Sequence, residues 1–336
     1  NARPENSIYD YLVNKEGFKD FQWTISGRNA IGLVIDDIAV RQNVDTVYMP
    51  SYACVSMVQP FLDRDIEIKY YGVRATESGI AFDIEHTDEV DAFLFMDYFG
   101  FASHSKELEQ ALAFFREKGI PIIDDQTQDL FTNTKHDVEP DYAIASLRKW
   151  GALASGGIAY KRSGDFLYQI DESSEDAVDT RIEAMKMKAD YLAGEDVDKD
   201  EFLAKYGAFN NSVIRFDRKL TIDPYSMNYL KATAVAEMIE ARQENARYMY
   251  EALETSADVQ FLFKQLEADE VPLFVPLTVK AEKRDALRKY LIENQVYLPV
   301  HWPHQLSDNT ELPTMELSLV CDQRYQVEDL KRMMKL

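Results

Sequence analysis

Lys149 lies in the segment Ala145-Ser146-Leu147-Arg148-Lys149-Trp150, three residues after Ser146. Upstream, the apolar pair Ile122-Ile123 runs into Asp124-Asp125, and Gln128 follows three residues after Asp125. A neutral lysine amine attacks a carbonyl carbon to form a Schiff base. It stays neutral only in a desolvated site or beside another cation. A carboxylate at a strand end is costly to bury unless a cation faces it. Pyridoxal phosphate meets both needs, with an aldehyde for the lysine and a protonated ring nitrogen for the carboxylate. Lys149 and Asp125 are therefore the candidate catalytic pair. Asp124 is the rival, because adjacent carboxylates on a strand face opposite ways. Gln128 is the candidate donor to the ring oxygen. Ser146 and the helix start at Gly27-Arg28-Asn29 are candidates for holding the phosphate, since N–H groups at a helix N-terminus bind anions.

These residues need a scaffold, and the patterning supplies one. Helical spacing runs from Ala30 to Val40, from Val55 to Leu62 and from Ser105 to Lys118. Ser103 or Ser105 is expected to cap the last of these, and Gly119 to stop it. Apolar or alternating runs predict strands at Thr46–Met49 (ended by Pro50), Ile66–Tyr71, Ala92–Met96, Pro121–Ile123, Tyr142–Ala145 and Gly157–Tyr160. Strands interleaved with helices imply βαβ units and a mostly parallel sheet, whose ligands sit beyond the carboxyl ends of the strands. Asp125, Ser146 and the Asp97-Tyr98 pair all fall at such ends.

Residues 1–20 read as an N-terminal arm anchored by Tyr9, Tyr11 and Phe18. Residues 21–235 read as a large domain and 236–336 as a small C-terminal α+β domain. The acidic stretch from 163 to 205 reads as an exposed loop feeding a surface helix. A long helix is expected from Tyr229 to Thr255. Beyond it, strands are expected at Phe261–Phe263, Leu273–Val275 and Val296–Leu298, a helix at Ala281–Glu293, and a last helix near 326–336.

The bulk numbers bound the function. The chain has 336 residues, 46% of them hydrophobic, which is enough for one large and one small core. With 59 acidic against 37 basic residues the net charge is −22, the wrong sign for a nucleic-acid binder or for an anionic membrane surface. Two distant cysteines, Cys54 and Cys321, form no disulfide framework and fit a reduced, cytoplasmic setting. No C-x-x-C or H-E-x-x-H spacing occurs, so no metal site is expected. No apolar run reaches membrane-spanning length.

The blocks, in this order, resemble the DegT/DnrJ/EryC1/StrS aminotransferases, a group of fold-type I pyridoxal-phosphate enzymes. The resemblance is carried by Ser26-Gly27-Arg28-Asn29-Ala30, Tyr48-Met49-Pro50-Ser51-Tyr52, Tyr98-Phe99-Gly100, Ile123-Asp124-Asp125-Gln126-Thr127-Gln128, and Ser146 to Lys149 with Gly156-Gly157. It covers most of residues 20 to 160 and continues more loosely to the C-terminus. It selects Asp125 over Asp124 as the ring partner. It also implies a homodimer with active sites at the subunit interface. The chain departs from the group's pattern at three places. Cys54, a candidate cofactor-binding residue with Tyr52, stands where an aromatic often stacks on the ring, so Tyr52 or another residue takes that role, or none does. Ser146 precedes Lys149 by three residues rather than five. Ile222-Asp223-Pro224-Tyr225-Ser226 replaces a G-x-N-x-R segment, leaving Asn210 or Asn211 as candidates for the second subunit's phosphate contact.

The resemblance implies a fold-type I architecture and an aminotransferase. The amino donor would be glutamate or glutamine, and the acceptor a keto-sugar nucleotide or related carbonyl compound. Tyr98, His301 and Arg324 are the candidate substrate residues. His301-Trp302-Pro303-His304 reads either as a substrate wall or as a packed aromatic turn. Arg324 reads either as a fork for a substrate carboxylate or phosphate, or as a salt bridge at a helix start. Two other readings stand beside this one: lyase or dehydratase chemistry with the same cofactor, and a non-catalytic ligand-binding protein on the same scaffold.

Overall fold

The computed structural model describes residues 4, 6–103, 105–213, 220–303 and 306–335, and at 176 and 211–213 the backbone alone. In chain order the first elements are α1 (Ile8–Val13), β1 (Asp20–Thr24), α2 (Gly27–Ala39), β2 (Thr46–Pro50) and α3 (Val55–Leu62). Then come β3 (Glu67–Thr76), β4 (Gly79–Asp83), β5 (Ala92–Phe95), α4 (Lys106–Lys118), β6 (Ile122–Asp125) and β7 (Tyr142–Ser146). A 3-10 turn, Leu147–Lys149, leads to β8 (Gly157–Lys161), α5 (Glu175–Ala193), α6 (Lys199–Val213), α7 (Pro224–Ala232) and α8 (Val235–Ala252). The chain closes with β9 (Val259–Phe261), β10 (Val275–Val279), α9 (Ala281–Glu293), α10 (Leu312–Met315), β11 (Glu316–Leu319) and α11 (Val327–Met333). Among the described residues, no helix is long and apolar enough to cross a membrane.

Two compact units form, each from two chain segments. The first comprises Asn1–Asp37 and Ile144–Ala234, the second Ile38–Ala143 and Val235–Leu336. Strand β7 begins in the second unit and ends in the first.

In the second unit the strand order is β6-β5-β2-β3-β4. Neighbours are parallel from β6 through β3, while β4 returns as an antiparallel hairpin on β3. Strands β5 and β6 are buried along their whole length; β5 therefore reads as an unbroken apolar run, while β6 passes from Ile122-Ile123 into the buried carboxylates Asp124 and Asp125. Helix α4 is held at both ends as its sequence predicts. The Ser105 hydroxyl accepts from Leu108 N–H, and Gly119 closes the helix at φ 70°. The second sheet of this unit, β11-β10-β9, is antiparallel and backs onto α8, α9 and α11 through Met249, Leu277, Leu291, Leu317 and Leu330.

In the first unit the order is β1-β8-β7, with β1 and β8 antiparallel. The expected arm is anchored there. Tyr9 stacks on Trp23 at 5.9 Å, Phe18 packs on Tyr160 at 5.2 Å, and the Tyr160 hydroxyl donates to the Leu12 carbonyl. A fully buried ion pair, Lys161 to Asp37 at 2.6 Å, ties β8 to α2.

Several expectations are corrected. The long helix from Tyr229 to Thr255 is two helices, broken at Thr233. There the backbone turns extended, and Ile8 N–H donates to the Thr233 carbonyl while Ala234 bridges Ser7. A bond that caps another chain segment removes that carbonyl from the helical ladder. Strand β2 includes Pro50 rather than ending before it. The region from 163 to 205 holds α5 and much of α6 rather than one loop and one helix. Residues 296–298 form no strand; the adjoining Pro299 carbonyl accepts from Ser318 N–H, and the third strand of that sheet is β11. Strands β1 and β4 have no counterpart in the sequence reading.

Candidate active site

The lysine block belongs to the first unit. Ser146 ends β7, and Lys149 ends the 3-10 turn that follows, so this segment is not extended and Arg148 does not alternate with Lys149 as on a strand. The turn is closed by Trp150 N–H donating to the Leu147 carbonyl, and Leu147 N–H donates to the Gly156 carbonyl. Lys149 is exposed on the single chain.

Opposite this turn lies the start of α2. An added Cβ on Gly27 would stand 2.8 Å from the Ser146 Cβ and 3.2 Å from its Cα. Only glycine lets the helix start approach Ser146 so closely. Gly157 makes the matching approach on the other side, where an added Cβ would meet the Ser26 carbonyl at 2.4 Å. The Ser26 hydroxyl donates to Asn29 Oδ1 at 2.6 Å and accepts from Asn29 N–H, which fixes the first turn. Asn29 is thus used in shaping the loop. Arg148 lies within electrostatic reach of Arg181 on α5 and of Arg28. Burial, then the charges of Arg181 and Arg28, push the Arg148 pKa down to about 10.

The carboxylate block belongs to the second unit. Asp124 and Asp125 are both buried and face different neighbours, as strand geometry requires. Asp124 accepts from Gln126 Nε2 at 2.7 Å and acts electrostatically on His136. Asp125 accepts from Thr127 N–H at 2.9 Å and acts on Tyr98. Burial, followed by the charges of Asp125 and Asp97, holds the Tyr98 hydroxyl protonated far above its ordinary range. That hydroxyl donates to the Tyr52 carbonyl at 2.7 Å.

Gln128 is buried, and the Phe99 N–H donates to its Oε1 at 2.6 Å. A backbone N–H can only donate, so the amide orientation is fixed and Nε2 is the end that can donate elsewhere. Phe99 accepts an unusual φ of 62° to make this bond, next to Gly100 at φ 89°. The Gly100 Cβ position lies 2.2 Å from the Val271 carbonyl, so the turn is wedged against the loop before β10.

Tyr52 is fully buried, stacked on Tyr98 at 5.5 Å, with Trp302 edge-on at 4.7 Å. Its hydroxyl reaches the His301 carbonyl at 3.4 Å. Cys54 stands at the head of α3 and accepts from the Ser56 hydroxyl at 3.0 Å. His301 is packed rather than open. Its N–H donates to Glu316 Oε2 at 2.7 Å, its Nδ1 lies 3.2 Å from Glu316 Oε1, and its ring is flanked by Phe99 and Phe274. His304 of the same segment lies outside the described residues. Arg324 points its fork at Asp322, with bonds of 2.8 and 2.6 Å, and the side chain is largely exposed. Asn210 is exposed on α6, and the Asn211 side chain lies outside the described residues.

The sequence reading missed Arg181 and the acid Glu316, and named Trp302 and Asp97 only as members of a segment, without the contacts they make. Asp97 is fully buried beside His136, whose two ring nitrogens meet Asp97 at 3.0 Å and Glu109 at 2.6 Å. Burial pushes the His136 pKa down, but the bonds to Asp97 and Glu109 and the charges of Asp97 and Asp124 outweigh it and raise the value to about 10. The one visible signal was the adjacency of Asp97 to Tyr98.

No family model matches the sequence, and neither does any curated protein. Solved structures do match over nearly the whole chain. An aminotransferase described as DegT DnrJ EryC1 StrS, from Brucella abortus, superposes with a TM-score of 0.63 at 14% identity, over 98% of this chain and 87% of that one. PseC of Helicobacter pylori, an aminotransferase involved in the biosynthesis of pseudoaminic acid, gives 0.62 at 12% identity over 98% and 88%. NtdA of Bacillus subtilis, solved with its cofactor PMP bound, gives 0.60 at 13% identity over 99% and 76%. The chain therefore has the fold of the fold-type I pyridoxal-phosphate-dependent transferases.

Proposed function

We propose that this chain is a pyridoxal-phosphate-dependent aminotransferase that moves an amino group from glutamate or glutamine to a keto-sugar nucleotide or a related carbonyl compound. The observation that carries the reading is Asp125, a carboxylate 2% exposed at the carboxyl end of a parallel strand. Such a group is of the kind that can face the protonated ring nitrogen of a cofactor at a strand's carboxyl end. The close approach of the α2 start to Ser146, 2.8 Å between an added Gly27 Cβ and the Ser146 Cβ, supports it, because N–H groups at a helix start bind anions. The likeness to solved aminotransferases, one of them holding PMP, supports it further.

The residues present fit the group. When bound, pyridoxal phosphate supplies an aldehyde open to amines and a ring that withdraws electrons from the carbon losing a proton. Lys149 Nζ would hold the aldehyde and later, as a free amine, take and return the substrate proton. The Asp125 carboxylate would keep the ring nitrogen protonated. Gln128 Nε2 would donate to the ring oxygen, its Oε1 being occupied by Phe99 N–H. The N-terminal amides of α2 and the Ser146 hydroxyl would bind the phosphate. Tyr52 is locked between Tyr98 and Trp302 rather than free to stack on a ring.

A homodimer in the cytoplasm is part of this reading. Lys149 is exposed on the single chain, and a second subunit covering it would supply the desolvation a neutral amine needs. We keep residues 21–235 as the large domain, 236–336 as the small one, and 1–20 as the arm.

The test is direct. Protein mixed with pyridoxal phosphate should absorb in the near-visible, and borohydride should fix the cofactor on Lys149 in a peptide map. Lys149→Ala should lose both signals. Glutamate should yield 2-oxoglutarate in a single turnover. A colourless protein without the label would overturn the reading, and turnover absent with every common amino donor would favour lyase chemistry instead.

A further inference from the structure

The segment Ile222 to Ser226, where the chain departs from the aminotransferase pattern, folds back on the lysine loop within the first unit. Asp223 caps α7, and its Oδ1 accepts from Ser226 N–H at 2.9 Å. A helix cap needs only that one oxygen. The other, Oδ2, turns to the loop after Lys149 and accepts from Ser155 N–H at 3.1 Å and from the Ser155 hydroxyl. Asp223 N–H returns a bond of 3.0 Å to the Ser155 hydroxyl oxygen. The Ser226 hydroxyl oxygen accepts from Ala154 N–H at 2.9 Å and from Ser155 N–H at 3.1 Å. Asp223, Ser155 and Ser226 are each fully buried. A buried carboxylate is costly, and donors from two chain segments offset that cost only while the segments stay together.

This clamp holds the far end of the loop whose near end is Lys149. Gly156 N–H donates to the Ile25 carbonyl, and the Gly156 carbonyl accepts from Leu147 N–H. Ser155 is therefore one residue from the bond that closes the lysine turn. Between the two ends, Gly151 meets the Tyr229 ring of α7, where an added Cβ would stand 2.5 Å from Tyr229 Cε1. Trp150, Leu153 and Ala154 are buried, while Lys149 is exposed. The loop thus fixes the Lys149 backbone and leaves the amine free to reach out. A reacting group delivered from a fixed backbone has less freedom to lose on attack.

We propose that Asp223 and Ser155 are positioning residues for Lys149, holding the turn that presents its amine. Each acts through the loop and touches no reacting atom. The proposal rests on the reading of Lys149 as the amine that takes the cofactor aldehyde.

The experiment mixes the full chain with pyridoxal phosphate, quenches with borohydride at intervals, and follows the label on the Lys149 peptide over a range of cofactor concentrations. Asp223→Ala and the milder Ser155→Ala should each lower the limiting rate about tenfold or more, with the half-saturating concentration changed less than about twofold. Leu330→Ala, in the core of the second unit, is the control, losing stability but keeping the rate. Hydrogen exchange without cofactor should show the Leu147 and Trp150 amides losing protection in both loop variants, although their acceptors are Gly156 and Leu147 rather than Asp223 or Ser155. An unchanged labelling rate on the folded variants, an equal fall in Leu330→Ala, or unchanged protection of Leu147 and Trp150 overturns the proposal. An unsubstituted chain that takes no label refutes the reading of Lys149 instead, and the exchange result alone then decides whether Asp223 and Ser155 hold the turn.

Discussion

Replacing His136 by glutamine should expose how the Asp97-Tyr98 strand end is held. His136 lies 9% exposed between Asp97, 3.0 Å away, and Glu109, 2.6 Å away. Its pKa rises from 6.5 to about 10, which at about 1.4 kcal/mol per unit corresponds to about 5 kcal/mol. Breaking a buried ion pair by removing one partner costs about 3–5 kcal/mol, because the remaining charge is left without its counter-ion. Asp97 is that charge; it is 1% exposed and, among the described residues, keeps its bond from Ser103 N–H. The sign follows from the raised value. The imidazolium contributes fully below pH 6.5, where the unfolded chain also binds the proton, and its contribution fades as pH rises towards about 10. Urea unfolding of both proteins across pH 6 to 10 should therefore show the variant about 3–5 kcal/mol less stable at the acid end, and the gap should narrow steadily. A gap that stays constant over that range would refute a charged His136, whatever its size.

Three further outcomes are expected. Gly100→Ala should lower stability by about 2–5 kcal/mol, since φ is 89° and the new Cβ would lie 2.2 Å from the Val271 carbonyl; chemical denaturation measures this directly. Gly27→Ala should cost about 1–3 kcal/mol through contact with Ser146, and should weaken pyridoxal phosphate more than pyridoxal in absorbance titrations. Arg324→Ala should change stability by less than about 1 kcal/mol, because its pair with Asp322 is largely solvated on the arginine side. Unchanged steady-state kinetics for that variant would remove Arg324 from the substrate site.

The sequence alone determined the features whose cause is local. Apolar runs marked β5 and β6, a serine and a glycine marked the ends of α4, and Asp125 with Gln128 marked a strand end and the turn after it. These are set by residues within one or two turns of each other, so spacing is enough to find them. The tertiary structure decided what depends on distant partners. The break at Thr233 exists because Ile8, over two hundred positions away, takes its carbonyl. Arg181 comes within electrostatic reach of Arg148 because α5 packs on Ile25. His301 turns inward because Glu316 accepts its N–H, and Arg324 turns to Asp322. A polar side chain has no intrinsic direction along the sequence; burial and the nearest opposite charge assign it one only when the chain has folded.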